Sequence, residues 1–170
     1  MTRQDYFHKW FAYSLGLLPI WLLDCYLLCR YPVYGTTPML LPLTVAAVAT
    51  MEGQMSGGIF GMWVGFLWET TYPGGFGAMI FLLTIFGFLG GTGVQYVLKR
   101  GYFGFFVCSL FTLLGVEFMI VLAHSLSGTA TYLYLIPLAS RQIALTMCYS
   151  PLVYWVFRRV FSKVGGNKLA

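Results

Sequence analysis

Four charged residues lie within long apolar stretches of this chain, and their side chains are the ones best placed to do chemistry: Asp24, Glu69, Glu117 and Arg141. An unpaired charge inside a membrane is costly, so such residues usually pair with one another or line a polar cavity. The planar guanidinium of Arg141 suits a carboxylate, and we expect it to pair with Glu117 or Glu69. The group then forms either a polar, partner-docking pocket open to the outside or a structural ion pair. In the second case one acid reaches the membrane surface, and Asp24, nearest its helix end, is the best placed to do so.

These groups do not match the needs of an intramembrane enzyme. A hydrolase of that kind needs a nucleophile with a base, or a pair of aspartates, whereas Asp24 is the only aspartate in an apolar segment. Ser127 follows His124 but does not stand in the Gly-x-Ser-Gly pattern of rhomboid proteases, and no Walker-type phosphate loop occurs. The cysteines and histidines lack metal-ligand spacing. We therefore expect no enzyme activity, no cofactor and no metal.

A run of small residues at every fourth position ends in an acid: Gly53, Gly57, Gly61, Gly65 and Glu69. On an α-helix this glycine stripe forms a groove without side chains, which lets another helix approach closely in lipid. Gly87 and Gly91 repeat the spacing in the next apolar segment. The stripe therefore serves packing between these two helices or contact with another protein. We expect Gly61→Leu to block close approach and Gly61→Ala to be mild.

The composition predicts an all-α, polytopic membrane protein with a single domain over residues 1–170. Hydrophobic residues make up 59% of the chain and charged residues 9%, whereas a soluble domain has roughly a quarter of its residues charged. Six apolar segments can be drawn, about Trp10–Cys29, Thr37–Met51, Gly57–Tyr72, Gly77–Leu98, Tyr102–His124 and Tyr132–Phe157. The second and third fall short of the ~20 residues that a perpendicular span needs, so they are thinned, re-entrant or fused into one bent span.

The basic residues favour six transmembrane helices with cytoplasmic N- and C-termini. In that topology most basic residues lie inside: Arg3, Lys9, Lys99, Arg100, Arg158, Arg159, Lys163 and Lys168. Fusing the second and third segments would put Lys99, Arg100 and the basic C-terminus outside, against the positive-inside rule. The net charge of +5 then indicates anchoring to an anionic leaflet rather than nucleic-acid binding. At 1.5 Å per residue, the four intramembrane charges all fall in the outer half of the membrane, and Glu52 falls at a cytoplasmic turn.

The residues between Pro38 and Ala78 resemble the rod shape-determining protein MreD family of bacteria. The similar features are the short helix that begins with Pro38–Leu43, the glycine stripe with its acid, and the sequence Gly74–Ala78 that opens the next helix. Length, helix layout and the basic tail after Ser150–Leu152 fit as well, so the resemblance covers nearly the whole chain. The family commonly has Asp where this chain has Glu69.

The resemblance implies a non-enzymatic scaffold of the cell-elongation complex, or elongasome, which directs peptidoglycan synthesis and cell shape. Such a protein is a multi-pass protein of the bacterial inner (cytoplasmic) membrane. It binds an MreC-like partner and, through it, RodA, a class B penicillin-binding protein and MreB. The MreD fold is also thought to be similar to the substrate-binding subunits of energy-coupling-factor vitamin transporters. The alternative function is therefore such a subunit, with a small molecule in an outward-facing cavity near Glu69, Glu117 and Arg141.

Overall fold

The regular elements of the chain are helices throughout the described residues, which in this computed structural model are 3–28, 30, 35–71, 77–96, 101–126 and 132–164. They are α1 (Arg3–Leu22), a π-helical turn (Leu23–Leu28), α2 (Leu41–Glu52), α3 (Gln54–Thr71), α4 (Ala78–Tyr96), α5 (Tyr102–Leu126), α6 (Tyr132–Cys148) and α7 (Ser150–Val164). The all-α prediction is confirmed. Of these helices, α4 and α5 are long and apolar enough to cross a membrane. Predictions on Gly74, Lys99, Arg100 and Lys168 lie outside the described residues.

The short helix α2 forms the centre of the molecule. Its ten residues from Leu41 to Thr50 are all buried, and it packs against α3, α4, α5 and α7. The sequence of α2 from residue 41 to 50, Leu-Pro-Leu-Thr-Val-Ala-Ala-Val-Ala-Thr, has no charged residue on any face. A helix that is apolar all round must be covered by other helices on every side. The helix begins four residues later than the predicted segment. Pro42 lies in its first turn, where a missing backbone N–H leaves no bond unmade.

Gly53 separates α2 from α3, so the glycine stripe is not carried by one helix as predicted. Its φ of +100° belongs to the left-handed region that favours glycine. The Gly53 N–H donates to Ala49 O at 3.0 Å, and its own carbonyl accepts from the Gly57 N–H at 2.9 Å. The two short predicted segments are therefore two helices joined by a one-residue corner, and they pack against each other.

The last predicted segment, about Tyr132–Phe157, is also divided into two helices, which corrects the prediction of one. Tyr149 forms a turn between α6 and α7, and its N–H donates to Thr146 O at 3.0 Å. Pro151 explains the division, because a proline in a continuous helix clashes with the preceding turn, whereas in the first turn of α7 it is tolerated. The new helix α7 then packs against α1, α2 and α5.

Three aromatic rings join α1, α3 and α7 in the core. The ring centroid of Tyr13 lies 6.4 Å from that of Phe60 and 6.2 Å from that of Phe157, and the centroids of Phe60 and Phe157 are 6.0 Å apart. All three side chains are at most 2% exposed. Edge-to-face and stacked pairs at these separations are favourable beyond the area they bury. The cluster therefore fixes the first and last helices against the glycine-bearing helix.

Candidate functional site

The glycine stripe of α3 lies directly against the backbone of α4. A Cβ added at Gly57 would lie 2.5 Å from Gly87 O, and one at Gly65 would lie 2.6 Å from Ile80 Cα. At Gly61 it would lie 2.8 Å from the carbonyl carbon of Leu83 and closer still to the oxygen. Real Cβ atoms essentially never come within 3.0 Å of such neighbours. A methyl group at any of these positions would force the two helices apart.

The glycines of α4 face the same seam. A Cβ at Gly87 would lie 2.8 Å from the carbonyl carbon of Gly57, and one at Gly91 would lie 2.6 Å from the carbonyl carbon of Gly53. Gly53 thus contributes to the seam through its backbone, although its own Cβ position is open. In the structure these glycines pack α3 closely against α4. This geometry argues against the expectation that Gly61→Ala would be mild, because the obstacle is backbone and not a mobile side chain.

A surface groove runs along this pair and is lined by residues of α3 and α4. It has a cavity volume of about 410 Å³, and Gly58 lies in it with no atom closer than 3.7 Å to its Cβ position. The lining is almost wholly apolar and consists mainly of Met55, Ile59, Met62, Ile85, Phe88 and Leu89. Gly58, which follows the stripe residue Gly57, is in ordinary van der Waals contact with Phe88 and Thr84 of α4, and its Cβ position is open enough to hold a methyl group. A groove of this kind has the dimensions and chemistry to receive another apolar helix.

Asp24 lies at the start of α2 and is buried within the molecule. Its side chain is 2% exposed, and its Oδ1 accepts from the Leu40 N–H at 3.3 Å. The first N–H groups of a helix have no partner within the helix and carry the positive end of its dipole. A carboxylate accepts a hydrogen bond from such an N–H group and also places a negative charge at the positive end of the dipole. The prediction that Asp24 reaches the surface is therefore wrong, since the buried N-terminus of α2 provides a closer partner.

Side chains of α6 hold the residues that lead into α2. The Met39 N–H donates to Thr146 Oγ1 at 3.1 Å, and Gln142 Nε2 donates to Thr37 O at 2.8 Å. Thr146 Oγ1 in turn donates to Gln142 O at 2.7 Å. Sequence reasoning missed this pair of residues, although their spacing of four places two polar side chains on one face of the helix.

The predicted ion pair of Arg141 is not formed. The Arg141 side chain is exposed on α6, and among the described residues the ion pair observed is Lys9–Glu52. Glu69 Oε1 accepts from the Met79 N–H at 3.3 Å, so it caps the first turn of α4. No described hydrogen bond or ion pair joins any two of the four predicted intramembrane charges. The reason is that helix N-termini satisfy two of the acids locally.

Glu117 is the acid without a visible partner. It is 5% exposed, in the middle of α5, and its Oε1 has no hydrogen bond in the described part of the chain. Burying a polar group without a hydrogen bond costs stability. Glu117 is therefore the acid of the predicted cluster whose role the contacts of the fold leave unexplained.

The other end of α2 carries a second polar contact. Glu52 accepts hydrogen bonds from Lys9 Nζ and, at 2.7 Å, from the hydroxyl of Tyr13. Glu52 lies where the negative end of the α2 dipole disfavours an anion, and the cation of α1 offsets this. The sequence placed Lys9 and Glu52 on the same side of the membrane, which was the available signal for their pairing.

The polar contacts at the two ends of α2 and the glycine packing of α3 against α4 hold the helices in place. The groove along α3 and α4 is left open at the surface. Among the described residues, no three His, Cys, Asp or Glu side chains are close enough to hold a metal ion. No family model matches the chain, and neither a curated protein nor a solved structure is significantly similar to it.

Proposed function

We propose that the chain is a non-enzymatic scaffold of the MreD type in the elongasome, spanning the bacterial inner membrane six times with both termini in the cytoplasm. The all-helical fold, its two long apolar helices and its many exposed large apolar side chains support a membrane location. Exposed rings are spread over several helices, with Phe81 of α4, Phe111 of α5 and Phe11 of α1 each more than 60% exposed. Such a surface suits contact with lipid and with other membrane helices.

The observation that carries the proposal is the groove along α3 and α4. Its walls belong to two helices whose backbones are in contact, so the groove cannot widen or close without breaking the seam. Its floor at Gly58 lets a second backbone approach, and the flexible side chains of Met55 and Met62 adapt to a partner surface. In this proposal a transmembrane helix of the MreC-like partner occupies the groove. RodA, the class B penicillin-binding protein and MreB are recruited through that partner.

The test is recovery of an MreC-like protein from the same genome after co-expression with tagged variants. Gly58→Leu fills the groove floor and should reduce recovery strongly. Gly93→Leu is the matched control, because Gly93 lies on α4 outside the groove with no atom within 4 Å of its Cβ position. Thermal unfolding of both variants shows whether a loss of recovery comes from the groove or from misfolding. Equal recovery with Gly58→Leu would remove the groove as the partner site, and no recovery with any variant would contradict the scaffold function.

One observation favours the alternative, a substrate-binding subunit of an energy-coupling-factor transporter. The unpartnered Oε1 of buried Glu117 offers an acceptor to a small molecule with a donor or positive charge. In that case the purified chain carries a bound vitamin or similar molecule, and Glu117→Gln lowers its occupancy. The unchanged chain would also co-purify with a coupling subunit and paired ATPases rather than with an MreC-like protein.

A further inference from the structure

The last helix, α7, has an apolar inner face and a basic outer face. Val153 and Phe157 are fully buried, whereas Arg158, Arg159 and Lys163 are exposed. A helix with this division, rich in basic residues and carrying an exposed tryptophan, is typical of the boundary between a membrane and water. The exposed tryptophan here is Trp155, which is 55% exposed. The outer face of α7 is thus suited to the headgroup region of a bilayer.

Two cavities meet at Arg158. One, of about 340 Å³, lies between α2, α5 and α7 and is lined by Arg158 together with Tyr102 and Tyr154. The other, also about 340 Å³, lies on α7 and is lined by Arg158, Arg159, Trp155 and Ser162. Hydroxyl groups are therefore present in both cavities, and a guanidinium lies between them.

An aromatic ring stacks on the Arg159 guanidinium, and a second ring lies near that of Arg158. The Arg159 guanidinium carbon lies 3.9 Å from the centre of the Trp155 ring, and that of Arg158 lies 5.9 Å from the centre of the Tyr154 ring. Stacking against a ring leaves the N–H groups at the edge of a guanidinium free to donate. The ion pair of the described residues, Lys9–Glu52, uses neither arginine. Two neighbouring, uncompensated guanidinium groups favour an anion with several acceptor oxygens.

We propose that Arg158 and Arg159 bind the phosphate of an anionic phospholipid headgroup, with the rest of the headgroup in the cavity that Tyr102 and Tyr154 line. Phosphate matches the paired N–H donors of arginine, and headgroup hydroxyls match the tyrosine side of the site. The lipid is favoured over a soluble phosphate compound because Trp155 and Leu152 are exposed beside the arginines and can contact acyl chains. The site is independent of the groove on α3 and α4, which α7 does not line.

The experiment uses the full chain purified in a neutral detergent, with thermal unfolding followed by tryptophan fluorescence. Phosphatidylglycerol should raise the unfolding temperature, whereas phosphatidylcholine and inorganic phosphate should have little effect. The double variant Arg158→Gln, Arg159→Gln should weaken the apparent affinity for phosphatidylglycerol by about tenfold, which corresponds to about 1.4 kcal/mol. Arg141→Gln is the matched control, because Arg141 is also exposed but lines a different cavity on α6. It should bind as the unchanged chain does.

Three results would overturn the proposal. They are an unchanged affinity in the double variant, an equal effect of phosphatidylcholine, and an equal effect of inorganic phosphate, which would identify a soluble anion as the ligand. If the double variant does not fold, the unchanged chain still provides a test. Its binding of phosphatidylglycerol should weaken as the salt concentration rises, because ions screen exposed charges. Binding that salt does not alter would also count against the site.

Discussion

Replacing Gly61 by alanine tests the glycine seam with the smallest possible change. The added Cβ would lie 2.8 Å from the carbonyl carbon of Leu83, whereas ordinary contact begins at 3.4 Å. The helices α3 and α4 would therefore have to separate by at least about 0.6 Å in an interior packed as densely as a crystal. Overpacking of this kind costs about 1–3 kcal/mol, and the obstacle here is backbone, which cannot rotate away.

Gly58→Ala is the matched control for this prediction. Gly58 lies on the same helix and is also buried, but its nearest neighbours are 3.7 Å or more from the Cβ position. In an open helical position, alanine is more stable than glycine by about 0.5–1 kcal/mol. The two substitutions should therefore change the free energy of unfolding in opposite directions. Gly61→Ala should lower it by about 1–2 kcal/mol, and Gly58→Ala should raise it by at most about 1 kcal/mol.

Thermal unfolding in detergent measures the difference between the two variants. For a chain of this size, 1 kcal/mol corresponds to a shift of about 2–4 °C in the unfolding temperature. We expect Gly61→Ala to unfold several degrees below Gly58→Ala. If the two unfold at the same temperature, the backbones of α3 and α4 are not in direct contact and the reasoning from the seam is refuted.

Three further predictions concern single contacts, each measured by thermal or chemical unfolding. Asp24→Leu should cost about 1–3 kcal/mol because the buried Leu40 N–H loses its acceptor, whereas Asp24→Asn should cost less; equal losses would show that the acceptor is irrelevant. Tyr13→Phe should cost about 1 kcal/mol through the bond to Glu52, and an unchanged stability would contradict this contact. Phe157→Ala should cost about 3–5 kcal/mol because its ring is fully buried, and a loss below 1 kcal/mol would place α7 away from the core.

The sequence predicted the helical class and the pairing of two glycine-bearing helices because both depend on local spacing. Glycines four apart mark one face of a helix wherever that helix lies. A turn near Glu52 was predicted, but not that it consists of Gly53 alone, since a glycine at that position fits a helical stripe and a left-handed turn equally well. Its role depends on where α2 is buried, which is a property of the whole bundle.

The misassigned charges have a related cause. Counting charges by depth suggested that Arg141 must neutralise an acid, because side chains were the only partners considered. The structure uses backbone N–H groups instead, at Leu40 for Asp24 and at Met79 for Glu69. A helix N-terminus attracts a carboxylate without any cation. Such partners cannot be read from the sequence until the helix boundaries are known.

The two ends of α2 explain why a buried helix of this length needs polar neighbours from α1, from the π-helical turn that follows it and from α6. At its start, Asp24 satisfies an N–H that no helical partner can reach, and Gln142 and Thr146 hold the incoming chain. At its end, Glu52 opposes the helix dipole, and α1 stabilises it there through the positive charge of Lys9 and the hydroxyl of Tyr13. The position of α1 along the bundle is therefore fixed at both ends of α2, by Lys9 at one and through the π-helical turn with Asp24 at the other. Because α2 also packs against α3 and α4, the groove that we assign to a partner helix rests on this central arrangement.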